Sequence, residues 1–115
     1  MNVRSPMPHP LSEIREKLFA SVLSDCLDQI GVTKQALPSR IRPLDETSVM
    51  VGRARTAAFM EVYHVAEHGN PYELEIALID SLRPDEIPVF ACSNPGRVAP
   101  WGELLSTASR VRGAA

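Results

Sequence analysis

Residues 70–91, NPYELEIALIDSLRPDEIPVFA, decide the fold, because the hydrophobic pattern changes from helical to extended within them. Asn70 suits a helix N-cap, Pro71 the first helical position, and Glu73 the acid of a capping-box-like pair. Tyr72, Ile76, Ala77, Ile79 and Leu82 follow at helical spacing and are expected to face the core. Arg83 to Glu86 reads as a turn. Ile87 to Ala91 is a short apolar strand, and Pro88 inside it argues for a strand end or a sheet edge, since proline gives no N–H to a ladder.

Upstream, Val49 to Val62 is rich in strand formers and small residues. Gly52 breaks it where a bulge or bend is natural, and Arg53 and Arg55 share one face of the extended segment. Two arginines on one face can receive a carboxylate, although solvent exposure is the commoner reason for such a pair. Thr33 to Asp45 reads as a loop in which Pro38 and Pro43 force extended backbone and Arg40 and Arg42 add positive charge. Before it, one helix is expected from an N-cap at Ser12, with Glu13 and Glu16 in its electropositive first turn. Ile14, Leu18, Val22, Cys26 and Ile30 recur every four residues along it, Leu11, Leu23 and Leu27 widen the stripe, and Gly31 supplies a C′ stop. Ser24, Asp25 and Asp28 fall on or beside its polar side, where a solvated face is the ordinary explanation. Residues 1–10 carry three prolines and read as an extended, poorly ordered arm before a domain over 11–115.

Twelve basic and fourteen acidic side chains leave a formal charge of −2, which offers no general attraction to nucleic acid or an anionic membrane. With 44% hydrophobic and 23% charged residues, 115 residues suffice for one small globular domain. No apolar run approaches the roughly 20 residues of a membrane span, and MNVRSPMPHP lacks the apolar centre of a signal peptide, so a cytoplasmic protein is expected. Cys26 and Cys92 form no CxxC pair. Cys26, on the apolar side of its helix, is expected to be a buried thiol.

Downstream, Ser93 to Pro100 is a loop, and WGELLSTASRVRGAA (101–115) opens a last amphipathic helix with Leu104, Leu105, Ala108 and Val111 at helical spacing. The backbone N–H groups of Gly102, Glu103, Leu104 and Leu105 are then free donors at a helix N-terminus, suited to a carboxylate or phosphate. Gly102 permits close approach to the backbone, and Arg110 and Arg112 favour the opposite end of the dipole. The plain alternative is an ordinary surface helix that starts with glycine. His64, Glu67 and His68 match an H-x-x-E-H zinc motif. That reading is rejected, because Gly69, Asn70 and Pro71 would end such a helix at once. Helix, strands, helix, strand, loop, helix is the order of a layered α/β domain.

The pieces SDCLDQIG (24–31), LPSRIRPLDE (37–46), VGRARTA (51–57), YELEIALIDSLRPDE (72–86) and above all WGELLSTASRVRGAA resemble the N-terminal part of the RraA-like family, from about Leu18 onward. The family includes 4-hydroxy-4-methyl-2-oxoglutarate aldolases and the protein called regulator of ribonuclease activity A. The resemblance implies a layered β/β/α swivelling-type α/β domain and a homotrimer. It also implies a class II pyruvate aldolase in which Mg2+ or Mn2+ stabilises the pyruvate enolate, with oxaloacetate decarboxylation as a side activity.

By the same resemblance, Gly102, Glu103, Leu104 and Leu105 bind the oxo-acid substrate through main-chain donors, and Glu103 matches the acid that holds a metal-bound water. In the family a strand ending in an Arg-Asp pair follows this helix, the arginine binding the substrate carboxylate and the aspartate the metal. The metal ligands are therefore expected beyond Ala115, and the chain is expected to be a truncated or divergent member. Two departures accompany this: Pro88 interrupts a strand that is usually β-branched, and Asp85 stands where a turn glycine is common. The alternative function is that of a non-catalytic regulator of the same fold, which binds a ribonuclease or another protein.

Overall fold

The computed structural model describes residues 10–64, 68–94 and 96–115, and shows a mixed α/β chain that divides into two compact units, one up to Val51 and one from Gly52 onward. The first unit holds α1 (Leu11–Lys17) and α2 (Ala20–Gln29). The second runs β1 (Arg53–Phe59), α3 (Glu73–Asp80), β2 (Glu86–Cys92) and α4 (Glu103–Val111).

The first helix of the sequence reading is thus two helices. Leu18 and Phe19 between them are extended, with φ/ψ of −114°/153° and −135°/163°. The reason lies in the spacing itself. Apolar residues exactly four apart drift by about 40° per step around a helix of 3.6 residues per turn, so Ile14 and Ile30 cannot share one face of a straight helix. A break restarts the face. The start also moves: Pro10, with extended backbone, precedes α1, and Ser12 lies inside the helix. Lys17 and Glu13 pair across one turn at 3.8 Å on the exposed side.

The end of α2 is as expected. Gly31 sits at φ 81°, its N–H donates to Asp28, and Val32 N–H reaches back to Leu27, a paired C-terminal closure that needs a left-handed residue. Neither helix contains a buried residue, and Cys26 is exposed, contrary to the expected buried thiol. Its stripe has no layer against it among the described residues of that unit. The loop after α2 folds back by two hydrogen bonds from one side chain: Gln35 Nε2 donates to Asp28 Oδ1 at 2.7 Å and Ser24 Oγ at 3.1 Å. Asp28 and Ser24 are therefore structural anchors here.

In the second unit, β1 and β2 run parallel, in a register that pairs Arg53 with Glu86 and Phe59 with Cys92, and α3 makes the crossover between them. Gly52 precedes β1 where the chain comes closest to its neighbour: a Cβ there would lie 2.6 Å from the Asp85 carbonyl and 2.8 Å from Ile87. Close approach, more than a bulge, requires this glycine. Asp85 is the one non-glycine residue described at positive φ (65°), and it serves two neighbours: its carbonyl accepts from Arg53 N–H and its N–H donates to the Gly113 carbonyl. Aspartate tolerates that left-handed conformation better than most side chains.

The core is small. Ile79 is 2% exposed and Leu82 6%, while Ser109 of α4 is buried at 5%. Of the five positions expected to face inward from α3, only these two do so; Tyr72, Ile76 and Ala77 are exposed. The amphipathic stripe of α4 is also rotated from expectation. Leu105, Ala108 and Ser109 turn inward, and Leu104 and Val111 are exposed. Arg112 explains part of the rotation, because its guanidinium pairs with Asp80 at the end of α3 and draws the C-terminal part of α4 to that helix. Gly113 (φ 80°) closes α4 as Gly31 closes α2: Gly113 N–H donates to Arg110 and Ala114 N–H to Ser109.

Candidate functional site: the open start of α4

Helix α4 begins as the sequence suggested. Gly102 is its N-cap, in extended backbone (φ −158°, ψ −175°), and the first bond of the helix runs from Ser106 N–H to the Gly102 carbonyl at 3.0 Å. The N–H groups of Gly102, Glu103, Leu104 and Leu105 therefore precede the ladder, and no side chain caps them. Any residue can adopt the Gly102 backbone, and a Cβ there would meet nothing within 4 Å. The chain's own packing does not ask for glycine at this position; an approaching ligand would.

Trp101 fixes the mouth of the site. Its indole Nε1 donates to Ser106 Oγ at 2.8 Å, and that hydroxyl donates to the Gly102 carbonyl at 3.0 Å, so the ring is tied to the first turn of α4. Its other side meets Phe90 edge-on at 5.4 Å between centroids, and Phe90 meets Phe59 at 5.0 Å. This aromatic row connects β1 and β2 to the helix start. The sequence reading missed it; the signal available was a tryptophan five residues before a serine at the entry of a helix.

A groove of about 530 Å³ opens here, lined by Ala99 to Leu105 from the loop and α4 and by Tyr72, Glu75 and Ile76 from α3. Two of the residues expected in the core from this region, Tyr72 and Ile76, belong to its far wall. Glu103 is exposed at the first helical position, where its charge suits the positive end of the dipole, and Glu75 is half-buried opposite. Leu104, 85% exposed, and Trp101, 40% exposed, give the opening an apolar rim.

Other sequence candidates lie apart from this groove's lining. Arg55 Nη2 donates to Ser81 Oγ at 3.0 Å, at the carbonyl end of α3 where a cation is favourable, and Arg53 is exposed beside it in sequence. Arg110 is in the last turn of α4, and Arg112 is engaged with Asp80. His64 and His68 are exposed, and Glu67 lies outside the described residues. Among the described residues no group of three or more His, Cys, Asp or Glu could hold a metal ion. No helix among them is long and apolar enough to cross a membrane.

The family model described as RraA-like, Aldolase/RraA, matches residues 20–115. The chain belongs to the RraA-like family. The match covers both units apart from α1, and it includes the whole of the α4 start. No curated protein and no solved structure matches the chain. For an RraA-like chain, an uncapped helix start beside a tied tryptophan has an immediate chemical reading, because this family includes aldolases.

Proposed function

We propose that this RraA-like chain carries the oxo-acid-binding site of a pyruvate-type aldolase, which cleaves 4-hydroxy-4-methyl-2-oxoglutarate and decarboxylates oxaloacetate. One observation carries the reading: Gly102 to Leu105, whose N–H groups are uncapped, line a groove at a position where glycine serves no need of the chain itself. A carboxylate seated there accepts from these donors and gains from the helix dipole. Trp101 and Leu104 exclude water from one side of it, and water exclusion strengthens each hydrogen bond in the site. Glu103, adjacent to the donors, is placed to accept a proton from a water at the substrate.

The reading brings with it the layered swivelling-type arrangement, the trimer and a cytoplasmic location. It also brings Mg2+ or Mn2+, which would stabilise the enolate. The described residues do not fit such an ion, since they form no ligand cluster. The steps assigned to this chain are therefore binding, orientation and proton handling at Glu103.

The test is pyruvate release from both substrates, with Mg2+ or Mn2+, by the purified protein. Glu103→Ala is expected to lower kcat by about 100-fold, the usual scale of a positioned acid–base group, with a smaller change in KM. Equal activity in a folded Glu103→Ala variant overturns the assignment. The apolar rim of Leu104, Trp101 and Tyr72 favours a second reading, a regulator that binds a ribonuclease or another protein through this groove. Saturable protein binding that pyruvate fails to displace, in a folded protein without turnover, would favour it.

A further inference from the structure

We propose that the groove at the start of α4 selects a monocarboxylic 2-oxo acid with an aromatic tail in preference to a dicarboxylic one. This rests on the oxo-acid assignment above and concerns the part of the substrate that lies away from the helix start. The groove is larger than pyruvate needs. At about 530 Å³ it falls within the roughly 300–1,000 Å³ of pockets that take whole small molecules, whereas pyruvate, a three-carbon acid, occupies only the end beside Gly102 to Leu105. Space remains between the α3 and α4 walls for a substituent on the oxo acid.

The walls of that space are apolar. Tyr72 and Ile76 line it on one side, Trp101 and Leu104 on the other, and all four are exposed. Exposed apolar side chains gathered in a concavity, rather than scattered singly, mark a place that receives an apolar group. Trp101 is suited to a flat one. Its Nε1 bond to Ser106 and its edge contact with Phe90 hold the indole in place, so a ring laid against it costs little side-chain freedom. Tyr72 supplies a second ring in the far wall.

The charges of the lining disfavour a second carboxylate. Among the described residues that line the groove, the charged ones are both acids, Glu75 on α3 and Glu103 on α4. One carboxylate has the uncapped helix start to receive it. A second, further along, would meet apolar walls and the like charge of half-buried Glu75, so it would lose hydration without gaining a partner. A phenyl group in the same place bears neither cost and gains by leaving water.

The experiment titrates the isotopically labelled protein with pyruvate, 2-oxoglutarate and 2-oxo-4-phenylbutanoate, and reads dissociation constants from the Leu104 and Leu105 N–H signals. The phenyl acid is expected to bind at least about 10-fold tighter than pyruvate, the lower scale for burying an aromatic ring. Its ring current should move the Trp101 indole N–H and the Ile76 methyl signals. For 2-oxoglutarate, binding no tighter than that of pyruvate is expected. Tyr72→Ala, at an exposed position, should reduce the ratio of phenyl-acid to pyruvate affinity by about 5-fold. Glu75→Gln should raise the ratio of 2-oxoglutarate to pyruvate affinity by about 3-fold, as one like charge is removed. If 102–105 respond to pyruvate but the phenyl acid binds no tighter, or 2-oxoglutarate binds tighter than the phenyl acid, the proposal is overturned and the oxo-acid assignment stands. No response at 102–105 to any of the three acids overturns that assignment and the proposal with it. Binding of 4-phenylbutan-2-one, which has no carboxylate, as tightly as the phenyl acid would make the groove a plain apolar surface and also overturn the proposal.

Discussion

Helices α3 and α4 both begin within three residues of a proline and carry an acid at their first assigned position, yet one start is partly closed by the preceding chain and the other is open. At α3, Asn70 Oδ1 accepts from Tyr72 N–H at 3.0 Å and the Asn70 carbonyl accepts from Glu73 N–H at 3.1 Å, so the chain satisfies two of the donors at this start, although no side chain caps the N–H groups of Leu74 and Glu75. At α4, Gly102 has no side chain to do this, and the neighbouring hydroxyl of Ser106 is committed to Trp101 and the Gly102 carbonyl. A cap is worth about 1 kcal/mol to a helix. On the proposed function, a helix start that forgoes this, in a groove, takes its acceptor from the substrate.

The comparison breaks most completely if its common frame is removed. Ile79 is the most buried side chain described and stands on α3 within the unit that carries both starts. Ile79→Ala is expected to cost about 3 kcal/mol in stability, by lost burial and the cavity left behind. Denaturant unfolding should show this, together with loss of protection at both helix starts; loss at α3 alone would separate the two helices.

Exchanging the cap between the two starts sharpens the comparison. Asn70→Ala should lower stability by about 1 kcal/mol and leave pyruvate affinity unchanged. Gly102→Asn should do the reverse: raise stability by roughly 0.3 kcal/mol, because its side chain caps Leu104 or Leu105 N–H, and weaken pyruvate binding by about 10-fold as the ligand loses those donors. Melting curves and titrations on the same two proteins check both. Equal loss of affinity in both would mean that the open start has no special role.

These starts also show what was legible in the sequence. Asn70 as a capping side chain could be read from the residues before α3, although Glu73 forms no reciprocal bond and the assigned helix starts two residues later than Pro71. Gly31 and Pro88 were equally readable, because each has a backbone property no other residue shares: one takes a left-handed conformation, the other withholds an N–H. The uncapped helix start at Gly102 was readable for the same reason. Side chains facing a neighbour were not. Tyr72, Ile76 and Ala77 have helical spacing but are exposed, the first two in the groove wall, and Leu104 and Val111 lie on the face away from Ser109, with Arg112 paired to Asp80 at the far end of α4. Asp85 was noted as a replaced turn glycine; its dual hydrogen bonding depends on chain segments distant in sequence.

The smallest effect concerns another side chain that closes backbone locally, Asp45. Its Oδ1 accepts from Thr47 Oγ1 at 2.6 Å and Thr47 N–H at 2.8 Å, and these bonds, the hydroxyl first, hold its carboxyl below the usual range. The folded form is thus favoured above the unfolded Asp pKa of about 3.9, and that contribution is lost as pH falls through the lower folded value. Carboxyl-carbon NMR should find Asp45 titrating at lower pH than in Thr47→Ala. Coincident titrations would remove Asp45 from the comparison.

The most direct test of the open start is a titration of the isotopically labelled chain with pyruvate, with chloride at matched ionic strength as the control. The account predicts saturable shifts of the N–H signals of Gly102, Glu103, Leu104 and Leu105, none at Tyr72 or Glu73, and loss of the response in Gly102→Asn. Unmoved signals at 102–105, or shifts reproduced in full by chloride, would contradict the claim that this helix start is built to receive an oxo-acid.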